Sequence, residues 1–364
     1  MKSTAVILAA GLSPRMRSFK PLLPLGDSNF INRIINTYRQ AGVDEIIIIT
    51  GYQANQIAMV TATSQVRLCY NSNFASTDML DLDSVLLGLK SMDERSEVCF
   101  ISEASNPLFT AFTVNALKQA VENGASFAIP AYNNKNGYPI ALGSQGKRVI
   151  YAYQGSGGLQ GFLDLQITHK TRVVVPDEGI LMNVNSQDDY QALLRFESAS
   201  RWPTVMRCTE LQSFFATPAV VIRHSQVVAD FALSLAEKMQ AKGYTINMQL
   251  VHSGALLHDL RKDSPDHGHK AADDLEALGY GEIAAVVRYH MNLDSAIVEP
   301  PYEKYLIFMA DRLVEDDRRV TLEQRFGLQL VNPDPAIREA TEKRYQQALI
   351  VREQLEKMIG EPIR

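Results

Sequence analysis

The hydrophobic pattern of this chain changes period near residue 200, so its two halves call for different folds. In the first half, short apolar runs alternate with amphipathic stretches. TAVILAA (4–10) and EIIIITG (45–51) read as buried strands, with an amphipathic helix over 30–42 between them. VCFISEA (98–104) and SFAIPAY (126–132) are further strands flanking a helix near 111–123. This strand–helix–strand rhythm predicts a mostly parallel sheet with helices on both faces. Such sheets bind ligands beyond the carboxyl ends of their strands. In the second half helical periodicity takes over, at 223–239, 247–261, 269–279, 281–291, 302–315 and 335–358. A chain of 364 residues has room for two domains. The expected division is an α/β domain over 1–198, a link over 199–220 with Pro203 and Pro218 as breakers, and an all-α domain over 221–364.

Composition narrows the function classes. The net charge of −5 argues against non-specific nucleic-acid binding, which needs a basic surface. Cys69, Cys99 and Cys208 are odd in number and far apart, which fits neither a disulfide framework nor zinc-finger spacing and points to a reducing cytosol. The opening run MKSTAVILAAGLS is short and followed at once by Arg15, Arg17 and Lys20, so a buried first strand is expected rather than a secretory signal. No stretch reads as the ~20 apolar residues of a membrane span. The expectation is a cytoplasmic protein with small-molecule nucleotide partners and neither nucleic acid nor membrane as partner; the oligomeric state is open.

LAAGLSPRMRSFKPLLPLG follows the first strand, from Leu8 to Gly26. Ala9, Ala10 and Gly11 are small enough for backbone to approach a ligand closely, and the N–H groups of such a turn make an anion nest. Arg15 and Lys20 add two cations suited to a triphosphate. The spacing lacks the Gly-Lys-Ser/Thr ending of a P-loop.

That string resembles the LAAGxSxRM…KxLLPL signature of sugar-nucleotide and molybdenum-cofactor nucleotidyltransferases, over about residues 1–195. Gly51-Tyr52, Asn106-Pro107-Leu108, Gly157-Gly158-Leu159 and ILMNVNSQDDY (180–190) match further segments. The resemblance implies transfer of a nucleotidyl group from an NTP to a phosphorylated acceptor, with Mg²⁺ and release of pyrophosphate. It makes Ala9, Ala10, Gly11, Arg15, Lys20, Ser105 and Asn185 the nucleotide site, with Arg15 and Lys20 catalytic. The chain departs from the family at several positions. Ser105 stands where relatives carry a Mg²⁺-binding Asp, Asn183 and Asn185 stand where two Asp are common, and Tyr138 replaces the His of a Gly-His-Pro motif. Ser105 offers a neutral hydroxyl, whereas Mg²⁺ beside phosphates wants carboxylates. Asn185 could ligate through its carbonyl; Glu103 shares a strand face with Ser105 but is expected to sit deeper. The domain therefore either transfers a nucleotide or binds one without turnover.

Histidine separates the halves chemically: of seven, only His169 precedes residue 200. His224 shares a stripe with Val227, Val228, Phe231 and Leu235; His290 follows Ile283, Val286 and Val287; Asp311 lies with Ile307, Phe308 and Val314. His258 and Asp259 follow Gly254 and Ala255, small enough to admit a neighbouring helix, and His267 precedes Ala271, Leu275 and Leu278. His252 and His269 read as ordinary histidines. Carboxylates on core-facing stripes are costly unless paired or metal-bound, so the set calls for a shared divalent metal. Imidazole plus carboxylate suits Mn, Fe, Co, Ni or Zn.

The order His…His-Asp…Asp resembles the HD superfamily of metal-dependent phosphohydrolases over about 220–315. RHSQVVADFALSLAEKM, ALLHDLRK and ADRLVEDD carry the match. The resemblance makes His224, His258, Asp259 and Asp311 ligands of a first metal, and His267 and His290 those of an extended, two-metal site. Asp259 doubles as catalytic proton acceptor, and Lys262 is set to touch a substrate phosphate. The implied reaction is hydrolysis of a phosphomonoester or phosphodiester, as in a nucleotide. The whole reads as an α/β Rossmann-like, mostly parallel sheet followed by an all-α HD-domain helical bundle. Three functions compete: a bifunctional enzyme, a hydrolase regulated by a non-catalytic nucleotide-binding domain, and a non-enzymatic metal- and nucleotide-binding regulator.

Overall fold

The computed structural model describes residues 1–11, 16, 18–74, 82–153, 157–165 and 170–363. The chain forms two compact units, Met1–Ala199 and Ser200–Arg364.

The first unit is built on strands β1 (Ser3–Ala9), β4 (Glu45–Thr50), β5 (Arg67–Tyr70), β6 (Val98–Glu103), β7 (Phe127–Tyr132), β9 (Ile140–Leu142) and β10 (Lys170–Val174), in the order β10-β7-β9-β6-β1-β4-β5. Short strands β2 (Pro24–Leu25) and β3 (Ser28–Asn29) form a separate ribbon, and β8 (Lys135–Asn136) pairs with β7. All pairings of the main path are parallel except those of β9, which runs antiparallel to β6 and β7. The nearly unbroken apolar runs of β1 and β4 suit central strands covered on both faces. One face packs Val6, Ile47 and Ile101 against α3 (Leu82–Ser91), α5 (Ser144–Tyr151) and α6 (Gly158–Leu165), through Val85, Ile150 and Phe162. On the other face Tyr38 of α1 (Phe30–Gln40) meets Phe100 with ring centroids 5.9 Å apart. Gly88 of α3 lies so close to β1 that a Cβ there would stand 2.4 Å from Val6 Cγ1. Two further helices are α2 (Ala54–Val60) and α4 (Ala111–Glu122); α7 (Gln187–Ala199) ends the unit.

The second unit is helical: α8 (Val205–Phe214), α9 (Ala219–Ala241), α10 (Met248–Leu257), α11 (His267–Ala277), α12 (Gly281–Arg288), α13 (Glu303–Arg312), α14 (Leu322–Leu330) and α15 (Pro335–Ile359), with one small hairpin, β11 (Val314–Glu315) and β12 (Arg318–Arg319). The stretch 199–220, expected as a link, carries α8. Pro203 and Pro218 bracket that helix rather than break it, Thr204 caps it, and its Cys208 and Leu211 are buried. At 23 residues, α9 is long and apolar enough by composition to cross a membrane, which corrects the sequence reading. Half of that apolar window is buried within the protein, and the core helix of a soluble protein passes the same test.

Candidate metal centre and nucleotide loop

The six acidic and histidine side chains singled out in the second half come together. His224 sits in the second turn of α9 and Asp311 near the end of α13. The sequence reading ran helices over 247–261 and 281–291, past His258, Asp259 and His290, and began one at 269, after His267; the helix bounds differ at each of these positions. His258 is the C-cap of α10, Asp259 lies in the turn beyond it, His267 opens α11, and His290 lies in the turn after α12. All six are buried, His258 completely.

Two overlapping sets of ligand atoms result, His224–His258–Asp259 and Asp259–His267–His290, each with its atoms within 4.8 Å of one another. Asp259 belongs to both. Asp311 joins the first through Oδ1, 3.2 Å from His224 Nε2 and 3.6 Å from His258 Nε2. Asp259 Oδ1 lies 3.1 Å from His267 Nε2 and 3.3 Å from His290 Nε2.

The tautomers follow from the backbone. Nδ1 of His224 donates to Asp316 O at 2.8 Å, Nδ1 of His258 to Ala255 O at 2.7 Å, and Nδ1 of His290 to Val287 O at 2.8 Å. A carbonyl only accepts, so each Nδ1 carries hydrogen and each neutral ring turns a bare Nε2 inward. Among the described residues, His258 Nε2, His290 Nε2 and Asp259 Oδ1 are buried without hydrogen-bond partners. Lone pairs facing lone pairs in a buried pocket need a cation, and this donor set fits a divalent metal. Glycines let the rings approach. A Cβ on Gly268 would stand 3.1 Å from His290 Cε1, and one on Gly254 would stand 2.7 Å from Ile307 Cδ1, as the small-residue reading of α10 anticipates.

Charge in the pocket is organised around the carboxylates. Burial works to raise Asp311, but the Arg312 guanidinium and the His224 and His258 rings hold it well below the usual carboxylate range. Burial also opposes ionisation of Asp259, and His258, with the His267 and His290 nitrogens, holds that carboxyl low. Burial, the largest influence on both rings, pushes His290 down; at His258 the charges of Asp259 and Asp311 overcome it and raise the ring. A proton on His258 and a metal ion answer the same carboxylates, so binding one expels the other. Lys262 Nζ stands 2.9 Å from Asp259 Oδ2 and 3.4 Å from His267 Nε2 at the partly exposed rim.

Arg312 was not singled out from the sequence. It is buried, and its guanidinium donates to Asp311 Oδ2 at 2.6 Å, to His290 O at 3.1 Å and to Met291 O at 2.6 Å. It occupies one oxygen of Asp311 and leaves Oδ1 for the cluster. The available signal was its position immediately after Asp311 in ADRLVEDD.

In the first unit, Ala9 and Ala10 are buried at the end of β1 and Gly11 is exposed. Gly51 allows the β4 exit to press on this turn: a Cβ there would lie 2.4 Å from Phe74 Cβ and 2.9 Å from Ala10 O. Lys20 Nζ donates to Asn185 Oδ1 at 3.0 Å, and Val184 N to Ser105 O at 2.9 Å, so the first and last segments of the loop constellation meet at the carboxyl end of the sheet. Arg15 lies outside the described residues.

A mostly parallel α/β unit, joined in one chain to a helical unit with a buried His/Asp cluster, describes the class. Residues 5–172 match the MobA-like NTP transferase domain and residues 221–316 the HD domain. The chain thus carries a nucleotidyltransferase-like domain and an HD domain in one polypeptide. It is 23% identical over 186 residues to the molybdenum cofactor cytidylyltransferase of Escherichia coli, a match spanning 51% of this chain and 92% of that protein. The bifunctional protein GlmU of Staphylococcus carnosus is 27% identical over 130 residues, 35% of this chain and 28% of that protein, so the match leaves most of GlmU uncovered. A nucleotidyl transferase structure from Methanothermobacter thermautotrophicus aligns over 55% of this chain and 99% of its own, with 22% identity and a TM-score of 0.48.

Proposed function

We propose that the chain is a bifunctional enzyme, in which the HD domain hydrolyses a phosphate ester of nucleotide type with a divalent metal and the first domain binds an NTP with Mg²⁺ and transfers its nucleotidyl group to a phosphorylated acceptor. The observation that carries the hydrolase reading is the buried convergence of unpartnered His258 Nε2, His290 Nε2 and Asp259 Oδ1.

In this reading His224, His258, Asp259 and Asp311 hold one cation, and Asp259, His267 and His290 hold a second. Mn, Fe, Co, Ni or Zn fits such ligands. A cation bound there supplies charge to a phosphoryl oxygen and makes water acidic enough to attack at neutral pH. Asp259 takes the proton of the attacking water as its oxygen bonds to phosphorus. The ester P–O bond breaks, and the proton taken up by Asp259 passes to the departing oxygen, which leaves as the alcohol. Lys262 exchanges its contact with Asp259 for the substrate phosphate, a shift its rim position permits. In the first domain the Ala9-Ala10-Gly11 turn and Lys20 receive the triphosphate, and Arg15 is assigned with them from the sequence.

Elemental analysis of the purified protein, with a panel of nucleotide and other phosphate esters, tests the first half. One or two transition-metal ions per chain and hydrolysis of at least one ester are expected, both lost in His258→Ala and Asp259→Ala. Variants that kept full hydrolysis would refute the site. For the second half, pyrophosphate release from NTPs with candidate acceptors should be lost in Lys20→Ala.

A further inference from the structure

The two sets of metal-binding side chains share very little negative charge, and Lys262 stands between them. We propose that they fill in order, and that the second, on Asp259, His267 and His290, takes its cation only together with a phosphate dianion. The inference rests on the hydrolase reading of the second domain. It goes beyond that reading by stating what the second site requires and which ester it favours, a phosphomonoester over a diester.

Two carboxylates, Asp259 and Asp311, reach the cluster. Among the described residues no other carboxylate comes within ion-pair distance of the rings of His224, His258, His267 and His290. Each of the two already has a cationic partner. Arg312 Nη1 donates to Asp311 Oδ2 at 2.6 Å, and Lys262 Nζ stands 2.9 Å from Asp259 Oδ2. With neutral rings, the two side-chain cations therefore cancel the two carboxylates before any metal enters. Asp259, Asp311 and Arg312 are buried, so solvent screens any added charge poorly.

The sites differ in how they meet that excess. Asp311 Oδ1 faces His224 and His258, and Asp259 Oδ2 lies 3.6 Å from His258 Nε2, so the first site draws on both carboxylates. The second has only the other oxygen of Asp259, beside His267 and His290. Lys262 works against it directly. Its ammonium lies 3.4 Å from His267 Nε2, a nitrogen the second cation needs. Paired metal ions stand about 3.5–4 Å apart, close enough that their repulsion must be answered by anions. A phosphomonoester brings two negative charges to that place and a diester one. The Lys262 side chain is 41% exposed, free enough to turn to the phosphate. Phosphate entry thus supplies charge and releases His267 in one move.

The test is equilibrium dialysis of Mn²⁺ against the metal-stripped full chain, alone and with methyl phosphate or dimethyl phosphate. The wild type should bind one Mn²⁺ tightly alone and a second with methyl phosphate, while dimethyl phosphate should recruit the second far less. Lys262→Met removes the charge at similar length and should bind the second Mn²⁺ roughly 10-fold or more tightly without any ester. Lys262→Arg keeps the charge and should keep the dependence on the ester. Two Mn²⁺ ions bound equally tightly by the wild type without ester would overturn the ordering while the metal centre stands. So would a second affinity that Lys262→Met leaves unchanged. A wild type that binds no Mn²⁺ under any of these conditions overturns the hydrolase reading as well.

Discussion

Arg312 ties together the two halves of the candidate metal centre. Its guanidinium is shared between Asp311, whose Oδ1 faces His224 and His258, and the carbonyls of His290 and Met291. It also lies over the Phe308 ring, 4.9 Å from Cζ to centroid. Arg312→Met should leave Asp311 buried without its counter-charge and cost about 3–5 kcal/mol in the metal-free protein, measured by denaturant unfolding. Arg312→Lys keeps the charge, but a single ammonium lacks the planar fork that serves three acceptors. It should fold, yet bind metal roughly 10- to 100-fold more weakly by calorimetric titration. Wild-type metal affinity in Arg312→Lys would reduce Arg312 to a counter-ion.

The N-terminal end of α8 is tied to α12 by a small polar clamp. Arg201 Nε donates to Glu282 Oε1 at 3.0 Å, and the indole of Trp202, the chain's one tryptophan, donates to Glu282 Oε2 at 2.9 Å. The Arg201 hydrogen bond, against some desolvation and helped by Trp202, holds the Glu282 carboxyl below its usual range. A carboxyl depressed by folding stabilises above its unfolded pKa, and that contribution is lost as pH falls through the folded value. Tryptophan emission should therefore change on acidification at a pH below ~4.3, the ordinary glutamate value. In Glu282→Gln, which keeps an oxygen for the indole, that step should vanish. Identical acid titrations of the two proteins would exclude the clamp as its source. Packing between elements is also close at Gly254 of α10, where a Cβ would meet Ile307 Cδ1 at 2.7 Å and Val286 Cγ2 at 2.8 Å. Gly254→Ala should cost about 1–3 kcal/mol by overpacking, read by thermal or denaturant unfolding.

These elements also show where sequence reasoning works. The strands at Ser3–Ala9, Glu45–Thr50, Val98–Glu103 and Phe127–Tyr132 were legible because buried parallel strands leave dense apolar runs. β5 and β10 were not, since their residues are largely exposed at the two edges of the sheet. α8 hid between two prolines that read as breakers. The clustering of His224, His258, Asp259, His267, His290 and Asp311 was legible because polar groups on apolar stripes must find partners. Arg312 was not, because a cation at a helix end reads as an exposed partner of the helix dipole.

Two units with separate cores should answer to separate ligands. A ligand that binds only the folded form of one unit stabilises that unit by mass action, about 2.7 kcal/mol at a free concentration 100 times its Kd. The cation ligands proposed for hydrolysis all lie within Ser200–Arg364, and the loop proposed to take the triphosphate lies within Met1–Ala199. Calorimetry of the full chain should then show two thermal transitions. Chelation should lower one and leave the other in place; a nucleoside triphosphate with Mg²⁺ should raise the second. His258→Ala should abolish the response to transition metal while keeping the response to triphosphate, and Lys20→Ala should do the reverse. If both ligands moved one common transition, and either substitution erased both responses, the chain would be working as a single cooperative body and the assignment of one ligand to each unit would fail.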